Sequence, residues 1–329
     1  MLQDQIPGKL KGNDFMQPGW YSEPTAAYQM MFEFLRLSPS YHLAHLYRTS
    51  KLSSFQTKKL PKDFAQVLAT YDLIGDVGHV LFRDWWLAKG IKVFGKPYSK
   101  PGIHKIAVFA NGQQTDLKLI GNGITNVLQE ARKAEGLSAA LIVSIPLTLK
   151  RNELLKKFGV LIDEYLDMNV YEEIKPKIKL KGERFHIQAM AKGLRLIWLK
   201  ADNPDLELWR LGAKANLSAS YSKILDPCAP RKTKNPTEVD DRNIMGKITF
   251  RSLSKFERVA ENAARGIFPS EDSVDCLKFE YHKLNKRLQS YYKWIVKKRG
   301  EKSKKILLEK TQFLAEALKS LPIQDRDLP

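Results

Sequence analysis

The sequence predicts a mostly helical protein with a small α/β part: an N-terminal α/β domain, then a helical, helix-turn-helix-like C-terminal domain and a basic helical tail. Three observations predict it. Apolar residues recur at helical spacing along most of the chain. Two β-branched runs, "KIAVFA" (105–110) and "SAALIVSIPL" (138–147), alternate with helical segments. Cations concentrate in the last third, where residues 283–310 hold eleven Lys or Arg against Glu301 and Glu309.

Residues 1–22 carry Pro7, Gly8, Gly12, Pro18 and Gly19 and read as an extended arm. The α/β domain spans 23–173. Thr25 is placed as the N-cap of "AAYQMMFEFLRL", and Ser38-Pro39-Ser40 joins that helix to "YHLAHLYRTSKL", making a helical hairpin. Gly75 and Gly78 break the apolar run 61–94 in two. The strands then alternate with "GITNVLQEARKAEG" and "LKRNELLKKFGVLIDEYLDM" over 105–168.

"IKPKIKLKGERFH" (174–186) alternates Lys with Pro, Ile and Leu and is expected to be a basic linker or exposed edge strand at a domain boundary. The helix-turn-helix-like domain covers 187–274. Within it, "DPCAPRKTKNPTEVDDRN" (226–243) reads as a loop, and a helix follows from about 245 to 264, with Gly266 as its stop. The basic helical tail occupies 275–329, as one or two long helices.

"ELWRLGAKANLSASYSKIL" (207–225) poses the functional question, because it fits either a core hairpin or two helices crossing so that the second enters a DNA groove. A helix-turn-helix needs a small residue at the crossing and a turn residue tolerant of positive φ. Gly212 and Asn216 meet those needs, and Asn is second to Gly in that tolerance. Ser218 would cap the second helix, leaving Ser220, Ser222 and Lys223 outward for base edges and phosphates. Ser222 stands where the motif usually has a β-branched apolar residue, so Tyr221 is the substitute if the register shifts by one.

Lys and Arg number 55 against 36 Asp and Glu, a formal charge of +19. Such an excess points to a polyanion, whose condensed counterions are released onto Lys and Arg without any sequence match. Double-stranded DNA is the leading partner, with RNA or a single strand as the others, and protein partners are expected through the N-terminal domain. Membrane is set aside. No apolar run approaches the ~18 residues of a spanning helix, and "MLQDQIPGKLKGNDF" lacks a secretory signal, so a cytoplasmic location is expected.

Further candidate contacts are Arg231, Lys232 and Lys234 in "RKTK", and Arg251, Lys255 and Arg258, which share one helical face at i, i+4 and i+7. A solvated face is the alternative. In the tail, Lys293, Lys297, Lys298 and Arg299 interleave with Tyr291, Tyr292 and Trp294, a mixture suited to single strands. Leu284, Leu288, Tyr291 and Ile295 fit an ordinary amphipathic stripe equally well.

Catalytic chemistry is not encoded by any recognised pattern. HExxH, GxxxxGK[ST] and GxGxxG are absent, and Lys283 lies one position too far from Glu280 for a nuclease triad with Asp275. His42 and His45 read as satisfied helix histidines and "DWW" (84–86) as core aromatics. Cys228 and Cys276 read as unpaired thiols. No catalytic residue, metal ligand or cofactor is assigned, and an enzyme with an unrecognised site is the outlying alternative.

"FEFLRLSPSYHLAH", "GDVGHVLFRDWW", "LIVSIPLTLKRNELLKKFGVLID" and "AENAARGIFPS" resemble segments of a loose group of uncharacterised bacterial mobile-element proteins, some of them transcriptional-regulator-like. The likeness covers roughly residues 28–270. It implies a mobile-element or defence setting and no catalytic residue. The expected function is therefore non-enzymatic DNA binding in regulation. The alternative is a structural subunit that clamps nucleic acid inside an RNA-guided or anti-phage assembly.

Overall fold

The computed structural model describes residues 20–137, 139–165, 175–182 and 186–319 and is mostly helical. It divides into two compact units, residues 1–279 and 280–329. Of the expected arm, residues 1–19 lie outside the described residues, and Trp20–Ser22 form one 3-10 turn.

The two N-terminal helices form as expected, joined through Ser38 alone, with Pro39 and Ser40 already inside the second. α1 (Ala26–Leu37) is buried along nearly its whole length, and Thr25 precedes it without capping it, its hydroxyl donating instead to Tyr98 O at 3.4 Å. α2 (Pro39–Arg48) starts from Ser38, whose Oγ accepts from Tyr41 N at 3.1 Å, with Pro39 in the first helical position where its missing N–H is harmless. After α3 (Ser54–Thr57), α4 (Phe64–Ile74) ends at Gly75, whose φ of +83° favours glycine. α5 (Phe82–Trp85), a π turn (Trp86–Gly90) and α6 (Ile91–Phe94) follow.

Trp85 and Trp86 are buried core aromatics, packed with Phe82 and Phe94, and the Trp86 and Phe94 rings stack at 5.3 Å. His45 Nδ1 lies 2.9 Å from Tyr71 OH, the partner that the satisfied-histidine reading requires. Among the described residues, no group of three or more His, Cys, Asp and Glu is placed to hold a metal ion.

The α/β part expected over 105–168 is not confirmed. The described backbone at 101–110 and 139–146 forms no strand, and its side chains are mostly exposed. A strand needs a ladder partner and one buried face, and neither segment has them here. α7 (Leu117–Asn126), α8 (Arg132–Ala134) and α9 (Arg151–Asp163) do form. Among the described residues the isolated bridge is Leu180 with Phe268, in parallel sense.

That bridge belongs to the segment expected as a basic linker. Residues 175–182 lie along the body, with Lys177 N donating to Val93 O at 2.8 Å, Lys181 N to Phe268 O at 2.7 Å, and Ile178 buried. The C-terminal helices of the first unit are α10 (Ile187–Asp202), α11 (Leu208–Ala215), α12 (Tyr221–Ile224) and α13 (Pro236–Ala264). α1 packs against both α10 and α13, and Phe34 lies 6.3 Å from Phe256 and 5.7 Å from Phe268, ring to ring. Gly193 lets α10 close on α13, since a Cβ there would overlap the Phe256 ring.

α13 begins nine residues before the expected 245. Asn235 caps it through Thr237 N at 3.1 Å and Pro236 occupies its first position, a start signal hidden inside what reads as a proline-rich loop. It ends at Gly266 as expected, where Gly266 N donates to Ala263 O and Ile267 N to Asn262 O, the paired bonds of a Schellman motif. In the second unit, α14 (Tyr281–Lys319) is one continuous helix.

One carboxylate joins the hairpin to α13. Glu261 is fully buried, and its Oε1 accepts from Ser38 Oγ at 2.6 Å and Ser40 N at 3.1 Å. Its Oε2 accepts from Ser40 Oγ and from Arg265 Nη1, the latter at 3.1 Å. Arg265, its side chain 2% exposed, turns its other face to Asp63 with bonds of 2.6 and 2.8 Å and gives one more to Asp275 O at 2.9 Å. Removing Glu261 leaves the Ser38, Ser40 and Arg265 donors that reach it in the core without their acceptor. Glu261→Ala should therefore lower unfolding free energy by about 3–5 kcal/mol, read by urea denaturation, and an unchanged midpoint would contradict the clasp.

The hydrogen bond from Arg265 holds the Asp63 carboxyl below its ordinary value, with the guanidinium charge adding to the effect. A carboxyl depressed in the folded state stabilises fully above its unfolded pKa, about 3.9, and loses that contribution as pH falls through the folded value. Asp63→Asn should thus be destabilised near neutrality and show a shallower loss of stability than wild type between about pH 5 and 2. Parallel stability curves for the two proteins would refute this role.

Candidate nucleic-acid interface

The stretch 207–225 folds as two helices around a left-handed turn. Asn216 adopts φ 53° and ψ 48°, Asn216 N donates to Ala213 O and Leu217 N to Gly212 O, each at 3.1 Å. This is a Schellman end with Asn in the position that glycine usually takes. The tolerance argued from sequence for Asn216 is the one the turn uses.

Gly212 does mark a close crossing, but its partner is α13 and not α12. A Cβ on Gly212 would overlap Thr249 Oγ1 and stand 2.8 Å from Met245 Sδ. α12 is a single turn. Its preceding residue is Ser220, which makes no side-chain cap, and Ser218 contributes its carbonyl to Ser222 N at 2.9 Å without acting as the N-cap. Tyr221 packs inward with Trp209, Ala213, Leu225 and Met245, the position expected of it if the register shifts by one. Ser220 and Lys223 are exposed, while Ser222 Oγ is buried with no hydrogen-bond partner.

The loop after α12 is tied to the helices on either side. Two guanidinium groups lie over the Trp209 ring, Arg210 at 4.4 Å and Arg242 at 4.3 Å from its centre. Arg210 Nη1 donates to Pro227 O at 2.7 Å, and Arg242 Nη1 to the carbonyls of Pro230 and Arg231, each at 3.0 Å. Glu238 accepts from Thr233 Oγ1 at 2.7 Å and pairs with Arg242; these bonds hold its carboxyl below the ordinary carboxylate value. Glu207 is lowered likewise, chiefly by its bond from Arg210. Neither Trp209 nor Arg242 was singled out from sequence, because their partners come from both ends of the loop.

These ties leave Lys232 and Lys234 exposed on a fixed backbone. Arg231 is 85% exposed and bonds Glu207 Oε1 at 3.0 Å. On α13, Arg251 is exposed, whereas Lys255 pairs with Glu271 at 2.8 Å and Arg258 donates to Glu271 O at 3.1 Å. Two of the three face residues thus have partners within the chain. Lys247 and Phe250, not selected from sequence, are exposed on the same helix.

In the second unit, Lys293 and Lys297 are exposed, and Lys298 pairs with Glu301 at 3.1 Å. The Arg299 side chain lies outside the described residues. Leu284, Leu288, Tyr291 and Ile295 are buried, and Tyr291 stacks with Trp294 at 6.3 Å, which accords with the amphipathic stripe.

Gly212→Leu must force α11 from α13 and should lower stability by roughly 1–3 kcal/mol or more, seen as an earlier melt. A melt equal to wild type would show that the crossing yields without strain. No family model matches the chain, and neither a curated protein nor a solved structure matches it, so geometry and charge carry the functional reading.

Proposed function

We propose that this chain is a non-enzymatic, cytoplasmic DNA-binding protein, a regulator carried by a mobile element or defence locus. The observation that carries the reading is the set of exposed cations Lys223, Lys232, Lys234 and Arg251 on the α11–α13 unit, in a chain of net charge +19. Exposed cations on a rigid framework hold phosphates in register with little entropy lost on binding. Arg231 joins them by exchanging Glu207 for a phosphate. Lys255 and Arg258 add to the contact in the same way, and Ser218 and Ser220 offer hydroxyls at the turn. The basic tail, through Lys293, Lys297 and Lys298, contributes affinity independent of sequence. The regulatory setting rests on the resemblance of the quoted segments. Among the described residues, no helix is long and apolar enough to cross a membrane.

The brevity of α12 favours a second reading. A single turn presents few side chains to base edges, whereas a backbone clamp needs none. A structural subunit of a nucleoprotein assembly would use the same cations. A defined footprint on one operator supports regulation, and co-purification of a discrete RNA with fixed protein partners supports the assembly.

Duplex affinity should fall steeply with salt, by about 0.9 in log–log slope for each phosphate neutralised. Lys232→Ala with Lys234→Ala should reduce that slope by about 2 while leaving the fold intact. A slope near zero for wild type, measured by fluorescence anisotropy across salt concentrations, would remove nucleic acid as the partner.

A further inference from the structure

The outer face of α13 carries a feature that phosphate binding does not use. Phe250 is 61% exposed at the middle of this 29-residue helix. Met245, Thr249 and Phe256 face the body and are buried, and at 100° per residue Phe250 falls well away from them. Lys247 and Arg251 are exposed and lie about 60° and 100° round the helix from Phe250, both toward the same side. Val239, 41% exposed and about 20° from Phe250 round the helix, continues the apolar character toward the helix start.

Isolated exposed apolar residues are ordinary; an aromatic ring with two exposed cations along one side of it has a more specific use. The cations attract a polyanion, and the apolar surface within a polyanion such as DNA is the face of a base. Single-strand binders set several aromatics in succession. α13 has one outward ring, and a single apolar side chain is what enters one base step and opens it.

We propose that Phe250 is a wedge that enters a base step of duplex DNA and kinks it, while Lys247 and Arg251 hold phosphates on the one side of the ring where both stand. This inference rests on the DNA-binding reading and gives that site a second property, deformation of the duplex. Affinity would then favour sequences with flexible pyrimidine–purine steps, which kink most easily.

The test uses the full chain and a short duplex labelled at both ends for energy transfer, with 2-aminopurine at a central TA step. Wild type should shorten the end-to-end distance by a bend of about 20–90° and raise the 2-aminopurine emission as its stacking is lost. Phe250→Ala should bind with an unchanged salt slope and lose both signals, and Phe250→Leu should retain them. Lys247→Ala with Arg251→Ala should weaken binding and reduce the slope by about 2.

A straight duplex bound by wild type, or equal bending by Phe250→Ala, overturns the wedge and leaves DNA binding standing. Absence of any duplex binding by wild type overturns both. Tighter binding of a single strand than of the duplex, with Phe250→Ala weakening the single strand alone, also overturns the wedge. So does loss of self-association as the sole effect of Phe250→Ala, which would assign the ring to a protein contact.

Discussion

The first unit depends on what is done with one buried charge. The Glu261 carboxylate has no access to water, and it is tolerable because four donors reach it: Ser38 Oγ, Ser40 N, Ser40 Oγ and Arg265 Nη1. Three of these lie at the start of α2, where unpaired N–H groups and the helix dipole favour an anion. A buried carboxylate with only part of this set would cost more than the remaining bonds return, so the hairpin and α13 take up one relative position. Arg265 extends the constraint to Asp63 before α4 and to Asp275 beyond α13.

α13 passes this constraint to the interface. Near its C-terminal end it carries Glu261; in its middle, Met245 and Thr249 receive α11 at Gly212; near its start, Arg242 holds Trp209 and the carbonyls of the loop. The exposed cations of that loop and of α13 are therefore positioned by the same helix that the buried carboxylate anchors. Basic residues on an unanchored loop would lose more entropy on meeting phosphate. In the proposed function the contribution of this framework is geometric, and the charge supplies the attraction.

Local features of the sequence proved legible where a residue's own chemistry sets its conformation. Gly75 and Gly266 at helix ends, Asn216 in the left-handed turn and Gly212 at a close crossing all follow from steric tolerance. The identity of the helix that crosses at Gly212 was not legible, because a small residue announces an approach and not its partner. Asn235-Pro236 was readable as a helix start, but the prolines around it masked the signal. The Glu261 clasp spans more than 220 positions, and Ser38-Pro39-Ser40 reads as a mere connector without it. "KIAVFA" and "SAALIVSIPL" have the composition of strands, yet composition cannot supply the neighbouring strand that pairing requires.

In the proposed function nucleic acid lies along the turn after α11, the tethered loop and the outer face of α13. Ultraviolet crosslinking of a bromodeoxyuridine-substituted duplex to the full chain, followed by peptide mapping, tests this most directly. Crosslinked peptides from 218–234 and 243–258 are the predicted result. Crosslinks confined to 103–165, or none under conditions where the duplex is bound, would contradict it.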